Sequence, residues 1–144
     1  MKTLVAPLLL ALVVGSFPGV LASEDLDRQD AAGDWRVLQH TVQEVLTGSR
    51  RLGPNSARIA PGARLAVGGS VLDLATAVAA GHADLLAQDQ TTPPTLIRQK
   101  MDPDGSAAFM LLGMERDSKM CYHTVVFMKD STGTWMVETW HVSS

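Results

Sequence analysis

The chain has few of the features on which disulfide-linked, nucleic-acid-binding or metal-binding proteins depend. It contains one cysteine, Cys121, so no disulfide can form within the chain and a hydrophobic core must supply the stability. Its 12 basic residues form no block and are outnumbered by 15 acidic ones, which argues against nucleic acid and anionic membranes as partners. The four histidines have no paired metal-ligand spacing. We therefore expect neither a metal nor a cofactor.

Residues 1–22 have the parts of an export signal. Lys2 precedes the apolar run LVAPLLLALVVGSF, and a Pro-Gly pair and small or apolar residues follow, ending at Ala22. This pattern predicts cleavage after Ala22 and a secreted or periplasmic protein. The alternative is an uncleaved anchor, but the run is shorter than the roughly 20 residues of a membrane span. No cysteine stands directly after the run, so we do not expect a lipid anchor, and we expect no membrane association after cleavage.

The segment that follows is interpreted as a flexible acidic leader, residues 23–33, before a single domain at 34–144. Asp34 stands at a helix N-cap position, and Trp35, Leu38 and Val42 begin an apolar stripe at helical spacing. The helix is predicted to stop at Gly48.

Proline and glycine dominate the next stretch, 49–62, which is predicted to be a loop whose arginines are solvated. A short strand is expected at 63–67. Ser70 and Asp73 form a capping pattern that predicts a second helix over 71–88.

From Thr95 onward the apolar period changes to two, which is typical of strands. Four alternating segments are separated by polar turns such as the Pro- and Gly-containing 102–105. The predicted fold class is α+β: a cone-like, curved antiparallel sheet, made of a four-strand meander and a short strand, covered by two or three helices.

The end of the chain resembles a known family. A strand YHTVVFMK, a polar turn with Gly133, and then Trp135, His141 and Ser143 in WMVETWHVS are similar to the close of the nuclear-transport-factor-2-like superfamily. The likeness is greatest to its SnoaL-like branches and to the association domain of calcium/calmodulin-dependent kinase II. It implies a cone-shaped fold and dimerisation through the sheet face. The aspartate base and tyrosine donor of the ketosteroid-isomerase branch have no recognisable counterparts.

A simple register for the last hairpin defines one candidate site. If Asp130 faces Gly133, His123 opposes Trp140 and has Glu138 as a diagonal neighbour on one apolar face. A carboxylate beside an imidazole can prepare it as a general acid or base, so His123 and Glu138 are candidate catalytic residues. The alternative is a structural pair at the edge of the sheet or in a subunit interface.

Candidate ligand-binding residues are predicted on both faces of the meander. Tyr122, His141 and Arg98 share the second face, where an arginine beside polar rings could hold an anion; the alternative is a solvated surface. Trp140 is the fourth candidate. The same register puts Trp135 and Trp140 on opposite faces, so that one of them is exposed in the sheet.

Two functions are consistent with these features. The first is an exported module that binds a small apolar or amphipathic ligand, or that associates as a homodimer through the sheet face. The alternative is a cofactor-independent isomerase, cyclase or dehydratase of SnoaL type, in which His123 with Glu138, or Tyr122 with His141, transfers a proton. A fold alone does not choose between them.

Overall fold

A computed structural model of the chain describes residues 22–80, 94–116 and 118–143. Its elements are helices α1 (Ala22–Leu46) and α2 (Leu74–Ala79), with the strands β1 (Arg58–Val67), β2 (Ser70–Asp73), β3 (Thr95–Met101), β4 (Ala107–Arg116), β5 (Lys119–Lys129) and β6 (Trp135–Ser143). The predicted signal segment up to residue 21 lies outside the described residues.

The first helix is longer than predicted. It begins at Ala22, so it includes the acidic segment 23–33, and Asp34 is an interior residue rather than its N-cap. Alanine, glutamate, arginine and glutamine in that segment are good helix formers, and the cost of one interior glycine is only about 1 kcal/mol. The predicted apolar stripe is confirmed, since Leu38 and Val42 are buried. Gly48, at φ 90°, follows the last helical turn as expected.

The region around residue 70 is a hairpin rather than a helix start. Gly68 and Gly69 both have positive φ, which turns β1 back into β2. The N-cap of α2 is Asp73, whose carboxylate accepts the Thr76 N–H at 2.9 Å. The predicted cap at Ser70 is therefore wrong, because its backbone is used in strand pairing. The rest of the predicted helix, with His82, lies outside the described residues.

The meander is confirmed, and it extends into a larger sheet. The strand order is β2-β1-β6-β5-β4-β3, and the pairs β3–β4, β4–β5 and β5–β6 are antiparallel. Strand β1 pairs parallel with β6, with a bulge at its Pro-Gly step, an arrangement that the sequence did not predict. The result is the predicted class, an α+β fold with a curved, unclosed sheet.

One face of this sheet is covered and the other is open. Side chains of α1 and of alternate sheet positions form one core, in which Leu38, Val125 and Phe127 are fully buried. Each such side chain stabilises the fold by about 2–3 kcal/mol relative to an exposed one. Gln39 of α1 donates to Gln99 of β3 at 3.1 Å on this side of the sheet. We call the helix-packed side the covered face and the other the open face.

Candidate functional site

The turn between β5 and β6 sets a register that differs from the predicted one. The Gly133 N–H donates to Asp130 O, while the Asp130 N–H donates to Thr134 O. Gly133 has φ 82°, as expected of a turn that ends in a left-handed glycine. Lys129 therefore faces Trp135, where the simple register paired it with Thr134.

A β-bulge in β6 shifts the register a second time. Phe127 pairs with Val137, but Val126 pairs with Thr139, so Glu138 is the extra residue. Val137 and Trp140 are buried, while Glu138 is half-buried and Thr139 exposed. This is the pattern of a bulge in which two consecutive residues oppose one partner and lie on the same side. Glu138 therefore lies on the open face.

The bulge also changes where the tryptophans lie. Trp135 and Trp140 are five positions apart, which would put them on opposite faces of a regular strand. With one extra residue between them, both lie on the covered face and are buried. The Trp135 indole donates to Asp34 Oδ1 of α1 at 3.0 Å. The prediction of one exposed tryptophan is wrong, and Trp140 is a core residue.

The structure does not bring the predicted catalytic pair together. His123 is fully buried on the covered face, whereas Glu138 lies on the open face. The Nδ1 atom of His123 accepts the indole N–H of Trp140 at 3.0 Å, with the two rings edge to face. An imidazole that accepts at Nδ1 is neutral and carries its proton on Nε2. His123 is thus a core residue bound to a tryptophan, on the face of the sheet opposite to Glu138.

The three remaining predicted residues lie on the open face but do not form one site. Tyr122 opposes Ser143 and His141 opposes Thr124, so Tyr122 and His141 are diagonal neighbours. Arg98 and His141 are connected by strand pairing through Leu111 and Thr124, so they lie in one row across the sheet. Three strand spacings separate them, or about 14 Å. The Arg98 guanidinium lies over the Phe109 ring at 5.9 Å.

A cleft that the sequence did not predict lies between the α1–β1 loop and α2. Its volume is about 460 Å³. Its described lining residues come from the loop, the start of β1 and one face of α2: Arg50, Leu52, Gly53, Pro54, Ser56, Ala57, Arg58, Ile59, Ala75 and Val78. We call this the loop–α2 cleft. Its volume lies within the range of small-molecule sites.

The last turns of α1 hold the loop side of this cleft in place. The Thr41 hydroxyl, fully buried, donates to Val37 O and accepts the Ala57 N–H, both at 2.7 Å. Glu44 Oε1 accepts the Gly53 N–H at 3.2 Å and the Ser56 hydroxyl. Because these contacts join the loop directly to α1, one wall of the cleft is attached to this helix.

The charged residues of the described lining are positive, and two carboxylates lie beside the cleft: Glu44, which binds the loop, and Asp130. Both charged residues among its described lining are arginines, Arg50 and Arg58. Hydrogen bonds from Thr132 and Thr134 hold the pKa of Asp130 below its ordinary value, and the charge of Arg58 adds a smaller effect in the same direction. Arg58 is therefore close enough to the β5–β6 turn to interact with its carboxylate.

The described ranges 22–80, 94–116 and 118–143 contain neither a candidate metal-binding cluster nor a candidate membrane-spanning helix. They contain no group of three or more His, Cys, Asp or Glu side chains that could hold a metal ion. None of their helices combines the length and apolar character needed to cross a membrane.

Sequence comparisons find no similar protein, whereas structural comparison finds proteins with a similar fold. No family model matches the chain, and no curated protein is significantly similar to it. A proposed ketosteroid isomerase from Shewanella frigidimarina is 18% identical, with TM-score 0.58, and covers 77% of this chain and 94% of its own. A nuclear-transport-factor-2-like protein of unknown function from Shewanella oneidensis is 15% identical, with TM-score 0.55 and coverages of 80% and 99%.

A third solved structure agrees with these two. It is a nuclear-transport-factor-2-like protein of unknown function from Silicibacter pomeroyi, 16% identical, with TM-score 0.52, covering 86% of this chain and 98% of its own. The chain therefore has the nuclear-transport-factor-2-like fold, and the resemblance inferred from its last strand is confirmed at that level. Identities this low show the fold alone.

Proposed function

We propose that this chain is a small-ligand-binding module and that its ligand occupies the loop–α2 cleft. The observation that carries the proposal is the cleft itself: about 460 Å³, with apolar side chains, backbone and two cationic groups in one lining. Pockets of this kind bind most of a small ligand through apolar contact and orient it with a few polar groups. The Thr41 and Glu44 contacts hold the loop wall in one position, which lowers the ordering cost of binding.

Binding without catalysis is favoured over the enzymatic alternative by the position of His123. A general acid or base must reach the proton that it transfers, but His123 is 0% exposed and its Nδ1 is bonded to Trp140. Tyr122 and His141 are neighbours on the open face, outside the cleft. Neither pair that the enzymatic alternative required belongs to the described lining of the loop–α2 cleft.

A cleft-filling substitution tests the proposal. Ala75 lines the cleft and is exposed, so Ala75→Phe should occupy the space while leaving the core intact. Ala79 is exposed on the same helix and is not among the described lining residues, so Ala79→Phe is the matched control.

A panel of small apolar and amphipathic compounds would be screened by two-dimensional NMR. We expect hits to shift the amide signals of residues 50–59 and of α2, and Ala75→Phe alone to abolish those shifts. Compounds that bind both variants equally, or that shift signals elsewhere, would contradict this location. The absence of any hit in the panel would count against the proposed function.

A homodimer through the open face is a second proposal, supported by the apolar side chains exposed there. Ile97, Met120, Tyr122 and Met128 are each at least 40% exposed, and apolar groups of this size in one face favour a partner. Met120→Glu should convert a dimer to a monomer in analytical ultracentrifugation. Leu72→Glu is the control, because Leu72 is exposed on the short edge strand β2 in the row of Leu65 and Trp140, which belongs to the covered face. A wild-type monomer at high concentration would refute the proposal.

Export is the third part of the proposed function. It is supported by the pattern of residues 1–22, and cleavage after Ala22 predicts a mature chain that begins at Ser23. Amino-terminal sequencing of protein recovered from the periplasm or medium tests it. Retention of the chain in the cytoplasm with Met1 intact would refute it.

A further inference from the structure

The loop–α2 cleft has a charge opposite to that of the chain around it. The whole chain has a formal net charge of −3, yet the charged residues among the described lining are Arg50 and Arg58. From this contrast we propose that the ligand of the cleft is an amphipathic anion, a carboxylate with an apolar body. The inference rests on the proposed function, because it names the chemical class of the ligand for the same cleft.

The two arginines suit a carboxylate in particular. A guanidinium presents its N–H donors in a planar fork that matches the two oxygens of a carboxylate, and it stays charged at every physiological pH. Arg50 belongs to the loop and Arg58 to the first position of β1, so the two reach the cleft from different elements.

The rest of the lining suits an apolar body rather than a small inorganic anion. Leu52, Ile59 and Val78 are partly or fully buried at the cleft, and Pro54 and the two alanines add further apolar surface. Contact with an apolar chain removes this surface from water at roughly 25 cal/mol for each Å². Phosphate or sulfate would leave it uncovered.

The Asp130 carboxylate predicts a difference between the two arginines. Arg58 pairs with Met136 beside the β5–β6 turn, and its charge adds a small effect to the lowered pKa of Asp130, so part of its field is offset before a ligand arrives. We therefore expect Arg50 to contribute more to affinity than Arg58. Because the cleft is open to solvent, affinity for an anion should fall as salt is added.

The experiment compares octanoate with octanol, which has a similar chain and no charge, at neutral pH. Binding is measured by NMR titration of the full-length mature chain. We expect octanoate to bind more tightly than octanol. Loss of one arginine should weaken octanoate binding about fivefold, as for a partly exposed charge-assisted contact, and leave octanol binding unchanged.

The variants are Arg50→Gln and Arg58→Gln, with Arg51→Gln as the control. Arg51 is exposed and adjacent to Arg50 in sequence, but it is not among the described lining residues. Equal losses in all three variants would indicate a general charge effect and would overturn the inference.

The remaining outcomes separate this inference from the proposed function. Equal affinity for octanoate and octanol at the cleft would refute the anionic ligand and keep the ligand-binding function. Binding of neither compound would refute the anionic amphipath, and the broader compound panel would then decide the function. Binding of octanoate away from residues 50–59 would refute both the anionic ligand and the ligand-binding function for this cleft.

Discussion

The Thr41 hydroxyl offers the sharpest test of how the cleft is built. Thr41→Val replaces the hydroxyl with a methyl group of similar size, so little cavity forms. The substitution leaves the Ala57 N–H, which donates to Thr41 Oγ1 at 2.7 Å, without its acceptor beside a fully buried side chain. A buried backbone donor left unpaired costs about 1–3 kcal/mol.

The expected effect is large for a domain of this size. A loss of about 2 kcal/mol corresponds to a fall in Tm of about 8 °C, at about 4 °C for each kcal/mol. The assay is urea denaturation followed by tryptophan fluorescence, with thermal unfolding by circular dichroism. The m-value should be unchanged, because the same surface is exposed on unfolding.

Two control variants decide the interpretation. Thr41→Ser keeps the hydroxyl and loses one methyl, so it should cost about 1 kcal/mol and preserve ligand affinity. Thr47→Val removes a hydroxyl that bonds only to α1 carbonyls at the exposed helix end, and should change the free energy of unfolding by less than about 0.5 kcal/mol. If Thr41→Val is as stable as wild type, the attachment of the loop to α1 does not depend on this hydroxyl.

Three further predictions concern the last hairpin and the loop. Trp140→Phe should lower the free energy of unfolding by about 2–3 kcal/mol in urea, because it removes volume from the core and the donor to His123; an unchanged midpoint would contradict the buried pair. Asp130 has a pKa below its ordinary 3.8 in the folded state, so its contribution is present above that pH and is lost as pH falls through the folded value. Asp130→Asn should therefore flatten the acid limb of the stability–pH profile, and an unaltered limb would refute this. Glu44→Gln keeps an acceptor for the Gly53 N–H and the Ser56 hydroxyl but removes a negative charge beside the cleft, so octanoate affinity should rise in NMR titration while the free energy of unfolding in urea changes little. Weaker octanoate binding in this variant would contradict the anionic ligand.

The meander and the fold class could be predicted because they depend on local signals. Alternation of apolar and polar residues over β3 to β6, with turn residues such as Gly105 and Gly133 between them, leaves few other arrangements. The apolar stripe predicts helix α1, but the helix begins at Ala22, well before the first residue of the stripe. Its first part has no apolar period to mark it, and helix propensity extends it without packing signals.

The candidate site could not be predicted, because it depends on register and on contacts between distant segments. One extra residue at the turn and one at Glu138 move Trp135 and Glu138 to faces opposite to those expected, since side chains alternate with a period of exactly two. The two shifts together return Trp140 to the face that it shares with His123. Neither shift has a strong sequence signal beyond Gly133. The cleft likewise joins residues 50–59 to α2 across a sheet edge, and its arginines are indistinguishable in sequence from solvated ones.

The sequence by itself determined the order of elements, the apolar faces and the family likeness at the end of the chain, because each follows from periodicity and turn chemistry within a few residues. Only the tertiary structure decided which side chains meet. Parallel pairing of β1 with β6, the His123–Trp140 bond and the loop held by Thr41 and Glu44 all join residues that are far apart in the chain or shifted by a bulge. Such contacts are selected by the packing of the whole core, which no local pattern encodes.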